Sequence, residues 1–253
     1  MNKLTLDMAR IDKDGLIRGK IGDFVYRNYR GKQIVQRVSD EKKTSEKVKK
    51  NNTEFGYASS KESVIRNFFI EQIGLVNDGN LHNRHRKVLY ELLIHNYTKD
   101  ANHRKLIDGN PKQFIGLNFN INSKWEDHMP YYLPINEDTN KLTISIPEMY
   151  AKSFQQKVKD ITFDHLKLSL VLCSIDPDLE ENPNAIIYNQ REFTLLQNQK
   201  LDLTVWEIPN LPPNRFLLLI GKIEYFEMNP VFGLKSLKSK ELCPACVLYG
   251  TKF

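Results

Sequence analysis

The spacing of apolar residues changes from a helical period to a strand period at Phe114, and that change constrains the fold more than any other feature. From Phe114 onward, apolar side chains recur at every second position. Ile115, Leu117, Phe119 and Ile121 alternate with smaller or polar residues. So do Leu142, Ile144 and Ile146, then Leu166, Leu168, Leu170 and Leu172, then Leu201, Leu203 and Val205. Phe193 with Leu195, Phe216 to Tyr225, and Val247 to Tyr249 complete the series. A period of two belongs to half-buried strands, whose successive side chains point to opposite faces. The breaks carry turn chemistry: Asn136-Glu137-Asp138, Asp176-Pro177-Asp178, Asn182-Pro183-Asn184, Pro209 to Asn214, and Asn229-Pro230. About seven strands divided by such turns predict an antiparallel β-sandwich. No helical pattern alternates with them, which argues against a Rossmann or TIM architecture.

Ahead of Phe114 the period is near 3.6. Val48, Phe55, Ala58, Ile65, Phe69 and Ile73 fall on one helical stripe, with Thr44 or Ser45 as N-cap, an interruption at Gly56 and an end at Gly74. A second helix is expected from Leu81 to Asn96, with Val88, Leu89, Leu92 and Leu93 facing inward. Further upstream, residues 17–38 read as a β-hairpin. One strand carries Ile21 and Phe24-Val25-Tyr26, the other Ile34-Val35 and Val38, and the turn is Tyr29-Arg30-Gly31-Lys32. Alternation puts Phe24, Tyr26 and Asn28 on one face and Val25, Arg27 and Tyr29 on the other, so both faces mix apolar and polar groups. The expected class is therefore α+β: an amino-terminal β-hairpin arm (1–43), a helical pair (44–111), then a carboxy-terminal antiparallel β-sandwich (112–253).

Charge singles out the arm. Residues 1–50 hold 14 Lys/Arg against 7 Asp/Glu, and the remaining 203 residues hold 23 against 24. The formal +6 of the protein is the charge of one terminal segment. Lys20, Arg27, Arg30, Lys32 and Arg37 lie there beside Tyr26 and Tyr29. Tyr and Arg are the residues of interface hot spots, and cations with aromatics also bind phosphates and stack on bases. A two-stranded hairpin is marginal alone in water. These seven residues are the candidate interface, either to another copy or protein or to nucleic acid. The competing reading is an edge hairpin whose Lys and Arg simply stay in water.

Other motifs carry less. Cys243-Pro244-Ala245-Cys246 is a CxxC outside the strand–helix context of a thioredoxin site, and one pair falls short of the four ligands of structural zinc. His82 and His85 sit one helical turn apart among Arg84, Arg86 and Lys87, without the Glu of a metalloprotease motif. The acidic loop from Asp176 to Glu181 lacks the Gly and ligand spacing of an EF-hand and reads as a solvated turn. Trp125, Tyr131 and Tyr132 form a possible stacking platform for a sugar or peptide. No metal, cofactor or catalytic residue is expected. The longest apolar runs, Phe216 to Ile220 and Leu168 to Cys173 with Ser169 inside it, fall short of the roughly 20 residues of a membrane span. The first residues lack the apolar core of a secretory signal, and three cysteines do not make a disulfide scaffold. A cytoplasmic protein with no membrane partner is expected.

The run Gly19-Lys20-Ile21-Gly22-Asp23, then Val25, Arg27, Gly31-Lys32 and Arg37, followed by a helix, resembles a family of functionally uncharacterised Bacteroidetes proteins. Members of that family open on a similar motif and continue into a β-rich half. The similarity covers about twenty residues. It departs after Arg37, where Ser39 to Lys50 contains no Pro whereas the family tends to be Pro-rich. The resemblance implies no enzyme and no site residues; it marks the hairpin as a defining element. Together these readings give a non-enzymatic structural or assembly protein docking through its arm, with nucleic-acid binding by the same arm as the alternative and a ligand-binding sandwich as the second alternative.

Overall fold

The structure, a computed structural model, describes residues 9–29, 31–38, 46–95, 104–158, 161–179, 184–231 and 233–253. The chain divides into two compact units, Met1–Lys49 and Lys50–Phe253.

The first unit is an antiparallel meander of four strands, β1 (Arg10–Ile11), β2 (Ile17–Ile21), β3 (Phe24–Tyr29) and β4 (Lys32–Arg37), in sequential order. The sequence predicts one strand running from Ile21 through Tyr26; two strands are found, because the chain reverses at Gly22-Asp23. Gly22 takes φ +55, which a residue with a side chain rarely adopts, and Ile21 then pairs directly with Phe24. The expected turn at Gly31 is present, with φ +74 and Tyr29 opposite Lys32; Arg30, inside that turn, lies outside the described residues. Between β1 and β2 the Asp12 carboxylate accepts hydrogen bonds from the amides of Asp14 and Leu16. Those bonds hold its pKa below the ordinary Asp range, the one from Leu16 contributing most.

The second unit begins with α1 (Glu46–Gln72, shared across the boundary) and α2 (Leu81–Ile94). The expected N-cap, Thr44 or Ser45, lies outside the described residues. The inward stripe of α1 differs from expectation. Ala58, Ile65 and Phe69 are buried as predicted, but Val48 and Phe55 are exposed and Glu54 and Glu62 take inward positions. Phe55 instead turns its ring edge onto Tyr90 of α2, with the Arg86 guanidinium 5.5 Å over it. In α2, Leu89, Leu92 and Leu93 are buried as predicted.

After two 3-10 turns, Leu106–Asp108 and Pro111–Phe114, comes a segment read as a strand. Ile115 to Ile121 forms only an isolated bridge, Asn118 opposite Cys246, although the Phe119 amide donates to Ala245 O (2.9 Å) and the Val247 amide to Leu117 O (3.2 Å). Leu117 and Phe119 are buried, while Ile115 and Ile121 are exposed, so alternation holds for one pair of positions and the ladder for none. A short α3 (Trp125–His128) follows, then β5 (Ile135–Asp138), β6 (Lys141–Ile146), β7 (Met149–Tyr150), α4 (Ala151–Lys157), β8 (His165–Ile175), β9 (Ala185–Leu196), β10 (Lys200–Leu201), β11 (Thr204–Pro209), β12 (Phe216–Asn229), β13 (Gly233–Ser236) and β14 (Ala245–Lys252). Asn136-Glu137-Asp138, read as a turn, belongs to β5.

β12 is the spine of the main sheet. It pairs along most of its length with β8, which pairs in turn with β9. On its other side the first half of β12 pairs with β14 and the second half with β13. A smaller sheet runs β11-β6-β5. Leu166, Leu168, Leu170 and Leu172 of β8 pack with Leu142, Ile144 and Ile146 of β6 in a core that joins the two sheets. The alternate residues of β8, Val171 and Cys173, form a second core with Phe216, Leu218 and Ile220 of β12 and with Ala58, Ile65, Phe69 and Leu89 of the helices. The fold is mixed α+β, with the helices seated on the outer face of the larger sheet. In β11 the predicted parity is reversed. Leu203 and Val205 are exposed, whereas Trp206 and Ile208 are buried, because the register with β6 places Trp206 opposite Ile144.

Candidate interaction surface

None of the described residues of the arm is buried. Seven large apolar side chains are open to solvent in residues 9–38: Ile11, Ile21, Phe24, Tyr29, Ile34, Val35 and Val38, from 37% to 74% exposed. A sheet with this much uncovered apolar area lacks the term that normally offsets the entropy of ordering its backbone.

Register sorts the arm's residues into faces. Gly19, Tyr26 and Val35 lie in one cross-strand row, and Ile21, Phe24 and Arg37 in the next, on the same face. That face carries the cluster Ile21, Phe24, Tyr26 and Val35. The opposite face carries Lys20 beside Val25 and Gln36, then Arg27 beside Ile34, then Tyr29 beside Lys32. The faces expected from alternation along β3 are those observed, and pairing adds what β2 and β4 bring to each. Of the seven predicted interface residues, Tyr26 and Arg37 thus lie on the first face and Lys20, Arg27, Tyr29 and Lys32 on the second; Arg30 is outside the described residues. The unit holds 13 Lys/Arg against 7 Asp/Glu, the remainder 24 against 24.

In the second unit the other motifs resolve into structure. Cys243 and Cys246 are free and buried, and Cys173 likewise. Burial pushes the Cys246 thiol up to about 12 and raises Cys243 and Cys173 too, the reverse of what a thiolate nucleophile needs. His82 stays at the surface, whereas His85 is fully buried against Phe69 and Phe114. Its Nδ1 lies 3.4 Å from Glu62 Oε1, which Arg66 Nε also meets at 2.7 Å. Burial raises the Glu62 carboxyl, but hydrogen bonds from His85 and Arg66 and the charge of Arg66 outweigh it and hold Glu62 ionised; burial drives His85 toward the neutral imidazole. Asp178 of the acidic loop is half-buried and its carboxylate is engaged, unlike that of a freely solvated turn. It accepts the amides of Leu106 (3.1 Å) and Ile107 (2.7 Å) and the Tyr57 hydroxyl, tying the loop to a 3-10 turn and to α1. The proposed aromatic platform does not share an exposed face: Trp125 is buried with its ring over Gly221, Tyr131 binds Ser153 Oγ, and only Tyr132 is open.

Sequence reasoning missed two features. Ser123 Oγ lies 3.0 Å from His128 Nε2, and His128 Nδ1 lies 3.0 Å from the Tyr225 hydroxyl. The chain pairs a hydroxyl with an imidazole, yet all three residues are buried and burial keeps His128 neutral, so it works as a core hydrogen-bond network. Tyr225 is 97 positions from its partner, and no local spacing announces it. A groove of about 670 Å³ also opens between Val64, Asn67, Phe68 and Glu71 of α1 and the start of β9. Among the described residues no group of three His, Cys, Asp or Glu is placed to hold a metal, and no helix is long and apolar enough to cross a membrane. Neither a family model, nor a curated protein, nor a solved structure matches this chain.

Proposed function

We infer that this is a non-enzymatic assembly protein that docks through its amino-terminal arm onto a protein surface, in the first instance another copy of itself. The observation that carries the reading is the arm's lack of any buried described residue, combined with the apolar cluster Ile21, Phe24, Tyr26 and Val35 on one face. A patch of this kind on a small sheet is covered in a working protein, and aromatic and aliphatic anchors ringed by Arg and polar groups fit an interface core and rim. The free, buried cysteines accord with a reducing compartment. The test is the mass in solution of the full chain against a chain lacking residues 1–38. Both cores lie within 50–253, so the shortened chain keeps them. A full-length mass well above 29.6 kDa that falls to the monomer on deletion supports the reading. A full-length monomer, or a shortened chain that assembles unchanged, overturns it.

A further inference from the structure

The face of the arm opposite the apolar cluster has an ordered arrangement of charge. Lys20 stands opposite Val25 on β3; Arg27 lies two residues further along β3; Lys32 stands opposite Tyr29, two residues further again. Each cation is therefore one strand over and two residues along from the last. The three form a straight diagonal row across β2, β3 and β4, at the roughly 7–8 Å spacing of diagonal neighbours on one face. Their side chains are exposed. Beside the row sits Tyr29, 59% exposed, with Val25 on the same strand. On the neighbouring ladder Arg10 stands directly opposite Arg18, a like-charge pair only partly relieved by Asp12, 3.3 Å from Arg18.

We propose that this face binds single-stranded nucleic acid, with Lys20, Arg27 and Lys32 on successive phosphates and Tyr29 stacking on a base. A regular row of cations matches a regularly charged polymer, and an aromatic beside the row is the other half of a single-strand platform. The surface is distinct from the apolar face that docks protein, so either can fail without the other. An anionic lipid surface would use the same charges but gives Tyr29 no base to stack on.

The experiment is fluorescence anisotropy of full-length protein with a labelled oligothymidylate of about 12 nucleotides, a length within the usual range of single-strand sites. Binding should weaken with salt at a log–log slope of about −2, as expected for three single-strand phosphates. Lys20→Gln, Arg27→Gln and Lys32→Gln should each make that slope shallower by about 0.7, and Arg27→Lys should restore it. Arg37→Gln removes the same charge from the other face and should leave the slope alone. Tyr29→Ala should weaken binding about tenfold without changing the slope. The proposal is overturned by absence of oligonucleotide binding, by a slope that Arg37→Gln changes as much as Arg27→Gln does, or by binding to phosphatidylserine vesicles in place of the oligonucleotide.

Discussion

The two units of this chain solve the problem of apolar surface in opposite ways. In the body, β8 and β12 bury both faces: even-numbered residues of β8 from Leu166 to Leu172 turn to one core and Val171 and Cys173 to the other. In the arm, strands that mix Arg, Lys and Gln with Ile, Val and Phe, joined by tight turns, bury nothing among the described residues. Strand pattern and turn chemistry are therefore enough to set local pairing, but they do not say what a face is covered by. Where strands of the body stack on one another and on the helices the result is a core, whereas the described residues of the arm stay open to solvent.

Substitutions sharpen this contrast. The largest effect is expected at Gly221→Ala, where a Cβ would stand 2.5 Å from the buried Trp125 ring and 2.7 Å from Leu248. Overpacking there should cost about 3 kcal/mol in urea unfolding. A loss below about 0.5 kcal/mol would mean that the Trp125 contact gives way freely. Next is Asp178→Ala, which leaves two amides and the Tyr57 hydroxyl without their acceptor and should cost about 2 kcal/mol.

Acid should act on the body in a defined direction. His85 and His128 both have folded pKa values lowered from 6.5 by burial, so below about pH 6.5 the unfolded chain binds the more protons. Stability then falls with acidification, by up to about 1.4 kcal/mol per pH unit for each histidine until its folded pKa is reached. Glu62 adds to this at lower pH: its contribution holds above the ordinary carboxylate pKa and is lost as pH drops through its depressed folded value. His85→Gln should flatten the dependence of unfolding free energy on pH between about 7 and 5. An unchanged slope would show that His85 titrates normally. The smallest effect on stability belongs to the arm. Phe24→Ser with Val35→Ser should change body stability by less than about 0.5 kcal/mol while lowering the assembled mass; an equal loss of stability and assembly would erase the distinction between the units.

Much of the fold could be read from the chain because its long strands repeat with period two and its turns use Gly, Pro, Asn and Asp. What escaped was decided by distant partners. Leu203 and Val205 look inward by alternation, but pairing with β6 selects Trp206 and Ile208. Phe55 belongs to the expected inward stripe yet stays exposed, whereas Glu62, one turn after Ala58, is buried against His85 and Arg66. Ile21 to Tyr26 looked like one strand because a two-residue turn at Gly22 leaves hardly a gap in the apolar pattern. At the arm, alternation along β3 already separates Tyr26 from Arg27 and Tyr29, whereas the faces of Lys20, Lys32 and Arg37 depend on which residue of β2 or β4 stands opposite each residue of β3.

The most direct test of the account is amide hydrogen exchange on the full-length protein at increasing concentration. Amides of β8 and β12 should be protected throughout, while those of β2, β3 and β4 should exchange fast when dilute and slow as the protein assembles. Arm amides that are as protected as the body in dilute monomer, or that stay fast in the assembled protein, would contradict the claim that the arm's exposed face is what docking covers.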